Sequence, residues 1–404
     1  MKNVKYLVLG AGPAGLSFAN RLKQRGETSF LVLEKETQAG GLCRSEDVDG
    51  KPLDIGGGHF LDVRRPKVCE FLFGFMPEDE WNRFDRDSRI LINGMEVSHP
   101  LEANIWQFPE ALQREYLESI KQAGCNSGKP MPEKFVDWIF WKLGDRIAED
   151  YMIPYNQKMF ADKLNELGTY WLEKLPNVDY EDTLRSCEEH RAYGTQPGHQ
   201  YFYYPKEFGY GEVWLRMADK IKDNLCLGIS ACELDLDTKV VTTSDGELIQ
   251  AEKIITTIPW TSLNNISGFS DKTHSRIGDL VSSSIEIRYV SEDIASDAQW
   301  IYDPNPGKPY HRILNRRVFC PESKGYWVET RGERVALFDE ADDSYRYLND
   351  YAYPLNTIDK PDIIEALLEE AKAKGVFGLG RWGEHSHYNS DLVVEKALAL
   401  ADEI

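Results

Sequence analysis

The chain has 404 residues, of which 42% are hydrophobic and 28% charged, and its formal net charge at pH 7 is -20. This length suits two or three domains with their own apolar cores. The acidic balance argues against nucleic acid as a partner, because phosphate binding needs a basic surface. No apolar stretch approaches the roughly 20 residues of a membrane span, and the first residues run directly into a strand pattern. We therefore expect neither a membrane span nor a signal peptide.

The seven cysteines are odd in number and show no C-x-x-C spacing. This pattern is typical of reduced thiols in the cytoplasm, and not of a disulfide framework or a zinc site. We therefore expect a cytoplasmic protein without a bound metal.

The first elements predict a strand, a glycine-rich turn and a helix. An apolar run ending at Leu9 leads into Gly10-x-Gly12-x-x-Gly15, and a second apolar run ends at Glu34. This order and spacing are typical of a dinucleotide-binding βαβ unit. Gly10 is expected to make the turn, Gly12 to let a pyrophosphate approach the backbone, and Gly15 to let helix and strand pack closely. The helix N-terminus then presents free amides to the phosphates.

A second glycine-rich segment indicates which dinucleotide binds. Gly40 and Gly41 precede Arg44, and a further glycine run at 56–58 precedes His59. A nicotinamide enzyme has no evident use for these segments, whereas FAD is extended and needs bare backbone along its pyrophosphate, ribityl chain and ring. Arg44 is expected to neutralise phosphate charge. The glycine run at 56–58 is also compatible with an ordinary flexible loop. The sequence therefore predicts FAD.

After His59 the chain leaves the nucleotide fold and returns to it twice. An Asn93-Gly94 turn predicts a hairpin over 89–97. Apolar periodicity and turn residues predict the remaining elements. The helices are expected at 109–123, 132–152, 211–223, 363–374 and from 391, and the strands at 253–258, 284–290, 299–302, 326–330 and 376–379.

We therefore predict an α/β fold with a discontinuous Rossmann-like FAD-binding domain and inserted helical and mixed-sheet substrate domains. The FAD-binding domain is expected over 1–65, 203–275 and 360–404. A mainly helical insert is expected over 66–202, and a sheet-containing substrate-binding region over 276–359. The parts would enclose a cleft, where ligand sites tend to occur.

Motifs along nearly the whole chain occur in an order that is specific to one family. Beyond the glycine segments, they are the stretches 54–59, 89–109 and 135–171, Pro154-Tyr155-Asn156-x-Lys158, Tyr204-Pro205, Gly209-x-Gly211-x-x-Trp214, Thr257-x-Pro259, Trp300-Ile301-Tyr302, Tyr310-His311-Arg312, Tyr353-Pro354, Gly380-Arg381-Trp382-Gly383 and Asn389-x-Asp391. In these residues the chain resembles the UDP-galactopyranose mutases, most closely their eukaryotic type. That family belongs to the wider group of FAD-dependent amine oxidases and protoporphyrinogen oxidases.

The resemblance implies an isomerase in which the N5 atom of reduced FAD attacks the anomeric carbon of a nucleotide sugar and displaces the nucleoside diphosphate. The sugar recloses as the furanose without net redox change, and the product serves polysaccharide biosynthesis. The implied partners are a small-molecule nucleotide sugar and an external flavin reductant such as NAD(P)H.

The resemblance also assigns roles to residues of this chain. Arg312 matches the arginine that binds the diphosphate, and Tyr302 and Tyr353 match two of the tyrosines there. His59 matches the histidine beside the flavin, so we expect His59 and Arg312 to be catalytic. The expected cofactor-binding residues are Gly10, Gly12, Pro13, Ala14, Gly15, Glu34, Lys35, Gly40, Gly41, Leu42, Arg44, Gly57, Gly58, His59, Gly380, Arg381, Asn389, Ser390 and Asp391.

The chain departs from the family at the nucleobase end. His99-Pro100-Leu101-Glu102-Ala103-Asn104 stands where the family has Tyr-Pro-Phe-Gln-Asn-Asn. Phe319 replaces a third diphosphate tyrosine, Phe160 replaces a pocket tryptophan, and one extra glycine precedes His59. Glu102 would repel an acidic ligand unless it accepts an N–H of the base, so UDP and galactose are both in question. The expected substrate-binding residues are His99, Glu102, Asn156, Phe160, Tyr302, Arg312 and Tyr353.

Two other functions are compatible with the same FAD framework. An oxidase, dehydrogenase or desaturase acting on an amine or an apolar ring fits the altered base end, because a fold alone does not set function. The second of these other functions is a flavin-binding module without catalysis. The retention of His59, Arg312 and Arg381 together argues against it. We therefore expect an enzyme, with mutase chemistry favoured over a redox reaction.

Several site residues also have a purely structural interpretation. Arg312 could form a surface salt bridge, and Tyr302 and Tyr353 could pack in the core with bonded hydroxyls. His99 and His311 could be ordinary buried or surface histidines. Three aromatic residues of the helix predicted at 132–152 are expected in its core rather than at a sugar: Trp138, Phe140 and Trp141.

Overall fold

The computed structural model describes residues 1–195, 198, 200–337 and 344–404. Its strands are β1 (Lys2–Leu9), β2 (Phe30–Glu34), β3 (Ser45–Val48), β4 (Lys51–Asp54), β5 (Leu61–Asp62), β6 (Trp81–Asp85), β7 (Ser88–Ile92), β8 (Met95–Ser98), β9 (Tyr201–Pro205), β10 (Leu225–Leu227), β11 (Ala231–Asp235), β12 (Val240–Thr243), β13 (Leu248–Thr256), β14 (Asn265–Ser267), β15 (Ser282–Val290), β16 (Trp300–Tyr302), β17 (Arg312–Leu314), β18 (Tyr326–Arg331), β19 (Arg346–Pro354) and β20 (Val376–Gly378).

The α-helices of the described residues are α1 (Pro13–Gln24), α2 (Pro66–Phe73), α3 (Leu101–Asn104), α4 (Glu110–Gln122), α5 (Phe135–Ile147), α6 (Ile153–Phe160), α7 (Tyr180–Glu189), α8 (Gly211–Lys220), α9 (Asp271–Arg276), α10 (Arg316–Phe319), α11 (Lys360–Ala373), α12 (Gly380–Gly383) and α13 (Ser390–Glu403). The predicted helices and strands are present, with ends that differ by a few residues, except that the helix predicted over 132–152 is interrupted.

The first sheet is the Rossmann-like part of the molecule. Its strand order is β10-β2-β1-β13-β12-β11-β14, and β20 also pairs with β13. β1 runs parallel to β2 and β13, so their carboxyl ends meet at one edge of the sheet. All five residues of β2 are buried, as expected for a parallel strand covered on both faces. This sheet confirms the predicted α/β class.

The two faces of β1 belong to two apolar cores. Tyr6 and Val8 pack in the core that includes α1 and α13, whereas Leu7 and Leu9 pack in the core that includes α11. The chain reaches α11 and α13 only after the intervening domains, so the nucleotide-binding fold is discontinuous, as predicted.

The second sheet has the order β19-β15-β18-β17-β16-β7-β8. The hairpin formed by β7 and β8 turns at Asn93 and Gly94, both with positive φ, as the sequence predicts. Its strand β7 pairs in parallel with β16, so the hairpin is part of this sheet although it lies inside the predicted helical insert. The sheet membership of 88–98 depends on a long-range pairing that has no local signal.

The helix predicted over 132–152 is interrupted. α5 contains Gly144 with φ 74° and ψ 167°, and a π-helical turn at Ala148–Met152 then leads into α6. A side chain at Gly144 would overlap the carbonyl of Ser119 on α4, so the break lets the two helices approach. Trp138 lies in the core, and Phe140 and Trp141 pack partly buried against it, as expected.

Candidate functional site

A cavity of about 510 Å³ lies at the carboxyl ends of β1, β2 and β13. Ligands of open α/β sheets tend to bind at this position. Many of the expected cofactor-binding residues line it, namely Gly10, Gly12, Pro13, Ala14, Glu34, Lys35, Gly41, Leu42, Arg44, His59, Arg381 and Ser390.

The glycine-rich turn has the geometry that its spacing predicts. Gly10 has φ +101°, a conformation that favours glycine, and a side chain at Gly15 would overlap the carbonyl of Gly10. Gly12 differs, because a Cβ there would meet only the Cα of Gly41, at 3.7 Å. Gly12 precedes α1 with no side-chain cap, so the first amides of the helix are available to a phosphate. The protein therefore leaves space for a ligand at Gly12.

Glu34 lies at the end of β2, where a ribose-binding acid is expected. Its Oε2 accepts a hydrogen bond from the amide of Ala11 at 2.7 Å, and its Oε1 accepts one from the amide of Glu36 at 3.0 Å. These bonds orient the carboxylate against the turn. Its remaining lone pairs can accept bonds from ribose hydroxyls.

Arg44 lines the same cavity and is held by two neutral groups and one carboxylate. Its Nε donates to the carbonyl of Gly41 at 3.0 Å, and its Nη2 donates to the hydroxyl of Tyr347 at 2.6 Å. The carboxylate of Glu36 lies 3.6 Å from Nη1. The guanidinium is thus placed at the cavity wall, with its charge only partly balanced.

Some expected cofactor residues lie away from this cavity. Gly15, Gly40 and Gly380 are packed within the protein, and Asp391 is buried in an ion pair with Arg65. Gly58 and Asn389 line a second cavity instead, and Gly57 lines neither of the two.

The glycine run at 56–58 is packed against other parts of the protein and is not an open loop. Side chains there would overlap the carbonyl of Leu42, the carboxylate of Glu329 and the side chain of Leu314, respectively. That the run presents bare backbone to a flavin ring stays a prediction, and Gly57 also lies against the carboxylate of Glu329. The run allows the second sheet to approach the first.

A smaller cavity of about 210 Å³ adjoins the larger one. His59 and Arg381 line both. The other residues of the smaller cavity include Gly58, Phe60, Arg86, Trp300, Tyr302, Arg312, Tyr353, His387 and Asn389. Tyr302, Arg312 and Tyr353, the three residues expected at a diphosphate, are therefore brought together here.

Arg312 forms a buried ion pair and not a surface one. Its Nε donates to Oε2 of Glu329 at 3.0 Å, its Nη2 also contacts that oxygen, and Nη2 donates to the Tyr353 hydroxyl at 3.2 Å. Glu329 is 1% exposed, and the amide of Gly58 donates to its Oε1 at 3.3 Å. Burial opposes the charge of Glu329, but Arg312 and His311 outweigh it and lower the pKa of this carboxyl to about 2. Arg312 is thus held in place as a cation.

His59 lies at the junction of the two cavities. Its Nδ1 is 3.0 Å from the carbonyl of Gly57, which orients the ring. Burial and the charge of Arg381 lower the pKa of His59 to about 4. The imidazole is therefore neutral at pH 7 and carries its proton on Nδ1, toward Gly57.

Four residues expected at the substrate do not line either cavity. His99 packs its ring 5.1 Å from that of Tyr302, and Asn156 donates from Nδ2 to the carbonyl of Met152 at 2.7 Å. Glu102 is buried, and burial raises its pKa to about 7. Phe160 packs against the apolar core. Of these four, His99 lies beside Tyr302, Glu102 lies on α3, and Asn156 and Phe160 lie on α6.

Sequence reasoning missed several residues of the site. Arg86 donates to the Tyr302 hydroxyl at 3.1 Å, and Glu329 holds Arg312. Arg86 stands between Asp85 and Asp87, and Glu329 lies on the predicted strand 326–330. The pairing of β7 with β16 and of β17 with β18 brings them to Tyr302 and Arg312. Residues 347–351 of β19 also line the larger cavity, again through tertiary packing.

Comparisons with known proteins agree with this geometry. A profile describing NAD(P)-binding Rossmann-like domains matches residues 8–73. Coproporphyrinogen III oxidase of Mycobacterium leprae (strain TN) is 33% identical over 103 residues, 25% of this chain and 22% of that oxidase, so the chain spans about a fifth of that relative's length. UDP-galactopyranose mutase of Mycoplasma pneumoniae (strain ATCC 29342 / M129 / Subtype 1) is 21% identical over 414 residues, 99% of this chain and 96% of the relative.

A solved structure of reduced UDP-galactopyranose mutase matches with a TM-score of 0.88 at 23% sequence identity, covering 99% of this chain and 95% of that chain. The chain has the fold of UDP-galactopyranose mutase. The resemblance to these mutases is thereby confirmed at the level of the fold, together with a Rossmann-like dinucleotide-binding domain.

Other features of the described residues are plain. None of their helices combines the length and apolarity needed to cross a membrane. No group of three or more His, Cys, Asp or Glu side chains among them is arranged to hold a metal ion. All seven cysteines lie in the described part of the chain, and none forms a disulfide.

Proposed function

We propose that this chain is an FAD-dependent enzyme that interconverts the pyranose and furanose forms of a nucleotide sugar, a step of polysaccharide biosynthesis. The proposal rests on the gathering of Arg312, Tyr302 and Tyr353 in one small cavity beside His59, directly next to the dinucleotide cavity. A guanidinium with two phenols suits a diphosphate leaving group, because guanidinium binds phosphate oxygens in two-pronged geometry.

FAD is the cofactor we propose for the larger cavity. The free amides in the first turn of α1 and the space at Gly12 fit a pyrophosphate, and Glu34 fits a ribose. The cavity extends from Glu34 to His59 and Arg381, which leaves its second end for the ring system beside the smaller cavity. When bound in its reduced form, FAD would supply the nucleophile for the sugar, with NAD(P)H as the proposed reductant.

The roles of the protein residues follow from their positions. Arg312, oriented by Glu329, would hold the diphosphate and stabilise the charge that develops on it as it leaves. The hydroxyls of Tyr302 and Tyr353 would donate to phosphate oxygens. His59, being neutral, would bind at the flavin without adding a charge to that end of the cavity.

We also keep His99, Glu102, Asn156 and Phe160 as the residues proposed for the nucleobase. The position of His99 supports this, since its ring lies 5.1 Å from the Tyr302 ring. Because none of the four lines the cavity, a base could reach them only if the side chains around Tyr302 move.

A redox flavoenzyme acting on a non-nucleotide substrate is the alternative. It is favoured by the similarity of one quarter of the chain to an oxidase. The smaller cavity, of about 210 Å³, could hold a whole compact substrate or only part of a nucleotide sugar.

Ligand stabilisation of the FAD-loaded protein tests the proposal. A ligand that binds only the folded state raises the Tm, so UDP, dTDP, GDP and CMP are compared. We expect at least one nucleoside diphosphate to raise the Tm. We expect Arg312→Ala to weaken every diphosphate by about 10- to 150-fold, because a charge-assisted contact of about 1.5–3 kcal/mol is lost.

Two further variants make this result interpretable. Arg312→Ala leaves Glu329 buried without its cation, so Arg312→Lys is measured beside it to separate misfolding from lost binding. Arg317→Ala is the matched control, because this arginine is 49% exposed and pairs with Asp293 on the surface. If no nucleotide stabilises the wild-type protein, the redox alternative becomes the better account.

A further inference from the structure

Arg86 has no part in the function proposed above, although it lines the smaller cavity. It lies between β6 and β7, and its Nη2 donates to the hydroxyl of Tyr302 at 3.1 Å. Its Nε donates to the hydroxyl of Ser88 at 2.8 Å, and its guanidinium lies 5.3 Å from the ring centroid of Trp300. All these partners are neutral.

The charges around the smaller cavity do not balance. Three guanidinium groups line it, those of Arg86, Arg312 and Arg381, and none of its lining residues is acidic. Arg312 pairs with Glu329, whereas Arg381 donates to the carbonyls of Tyr388 and Ala352. In the part of the chain that the structure describes, neither Arg86 nor Arg381 has a carboxylate at ion-pair distance. One carboxylate against three guanidinium groups leaves an excess of about two positive charges, although the whole chain carries -20.

Such an excess is costly without a ligand, because partly buried cations lose hydration that neutral partners restore only in part. Two imidazoles near the cavity, those of His59 and His99, do not add to this charge. Burial and Arg381 lower the pKa of His59 to about 4, and burial and Arg86 lower the pKa of His99 to about 3. An anion with two charges would neutralise the cavity.

We propose that Arg86 is a second anion-binding residue of this cavity and contacts anionic oxygens of the ligand that Arg312 does not hold. This inference rests on the proposed function in taking the ligand to be a nucleotide sugar. The oxygens belong either to the second phosphate of the diphosphate or to a carboxylate on the sugar. Both sources offer the planar or tripodal oxygen geometry that a guanidinium binds.

The test measures dissociation constants of the FAD-loaded protein for UDP, UDP-galactose, UDP-galacturonic acid and inorganic pyrophosphate. Wild type is compared with Arg86→Ala and Arg86→Lys, and each variant is first checked for its flavin spectrum and Tm. Arg89→Ala is the matched control, because Arg89 lies only three residues further along, on β7, but pairs with Asp87 and Glu96 at 2.7 and 3.0 Å.

We expect Arg86→Ala to raise at least one of these dissociation constants about tenfold or more, Arg86→Lys to recover part of the loss, and Arg89→Ala to change nothing. A loss that includes UDP assigns Arg86 to the diphosphate. A loss confined to UDP-galacturonic acid assigns it to a sugar carboxylate. In either case the difference between wild type and Arg86→Ala should shrink as salt is added, because it is electrostatic.

A second variant distinguishes direct anion binding by Arg86 from a purely structural role. If Arg86 acted only by positioning Tyr302, then Arg86→Ala would cost nothing further in a Tyr302→Phe background. That result, or unchanged dissociation constants for all four ligands, would overturn the role of Arg86. The proposed function would still stand if the wild type bound a nucleotide.

The opposite outcome is also distinguishable. If the wild type binds pyrophosphate through Arg86 but binds no nucleotide, the anion site stands and the nucleotide-sugar function is refuted.

Discussion

His59 and Arg381 are the side chains that the two cavities share, so they are where a cofactor and a substrate would meet. Arg381 keeps its charge at this junction while three backbone hydrogen bonds hold it. His59 is neutral because burial and Arg381 lower its pKa to about 4. The junction therefore offers one fixed cation and one uncharged imidazole.

Replacing His59 tests its proposed position at the flavin. We expect His59→Ala to shift the flavin absorbance spectrum or redox potential and to lower kcat/KM more than tenfold, a loss of at least about 1.4 kcal/mol. Because its pKa is about 4, His59 should cause no inflection in the rate between about pH 5.5 and 8. His274→Ala, at an exposed position of α9, is the control. An unchanged spectrum and rate would place His59 away from the chemistry.

Glu102 is a buried carboxyl whose environment favours its neutral form. Burial raises its pKa to about 7, from an ordinary value near 4.5. The stability that the buried, protonated Glu102 allows is therefore fully present below about pH 4.5. The folded state loses it as the pH rises through 7, because a charged carboxyl is then buried. We expect Glu102→Gln to match wild type in urea unfolding at pH 4.5 and to be more stable at pH 8, by up to about 3 kcal/mol.

The same variant tests the proposed nucleobase end. If Glu102 contacts the base, Glu102→Gln should change the ranking of UDP, dTDP and GDP, because it replaces a carboxyl that gains or loses a proton with an amide that always both donates and accepts. Glu369→Gln, at an exposed position of α11, is the control for both measurements. An unchanged ranking would remove Glu102 from the base site, and equal unfolding curves at pH 8 would contradict its buried, neutral state.

At the scale of elements, the β1–turn–α1–β2 unit was the part best predicted from sequence. Its glycine spacing has a local cause, since Gly10 needs a positive φ and Gly15 must lie against the turn. The hairpin turn at Asn93 and Gly94 was equally local. By contrast, the break at Gly144 follows from contact with α4, and periodicity alone could not show it.

Gly12 provides a test in which folding and ligand binding can be separated. Its φ of -78° is accessible to any residue, and the nearest protein atom to a Cβ would be 3.7 Å away. We therefore expect Gly12→Val to fold, with a Tm within a few degrees of wild-type protein stripped of cofactor, but to bind no FAD because its methyl groups occupy the pyrophosphate position. Circular dichroism and flavin content per chain measure the two effects.

A neighbouring glycine serves as the contrast. Gly15→Val should fail to fold, because its side chain would overlap the carbonyl of Gly10. Gly278→Val, with no atom within 4 Å of the added Cβ, should fold and retain FAD. Full loading of Gly12→Val with FAD would contradict the proposed cofactor position.

At the scale of the whole molecule, the site lies where the second sheet meets the first. β17 and β18 supply Arg312 and Glu329, β19 supplies Tyr353, and the first sheet supplies the dinucleotide cavity. Sequence motifs singled out Arg312, Tyr302 and Tyr353 because they match a family pattern, and the structure brings the three together in one cavity. The motifs did not reveal Arg86 or Glu329. Glu329 reaches Arg312 through the pairing of β17 with β18, and Arg86 reaches Tyr302 through the pairing of β7 with β16, which are far apart in the chain.

The same architecture occurs in mutases and in oxidases, so the reaction is decided by electron accounting and not by the fold. A mutase needs reduced flavin but consumes no reductant per turnover. A redox enzyme consumes one equivalent of oxidant or reductant for each product molecule formed.

The most direct measurement is therefore anaerobic turnover by FAD-loaded protein reduced once with dithionite. UDP-galactopyranose is supplied first, and other nucleotide sugars follow if the binding screen favours another base. We expect many product molecules per flavin, with the furanose form detected by chromatography, while the flavin stays reduced and no further reductant is consumed. Product formation limited to one equivalent per flavin, or none with any nucleotide sugar that binds, would contradict the proposed mutase function.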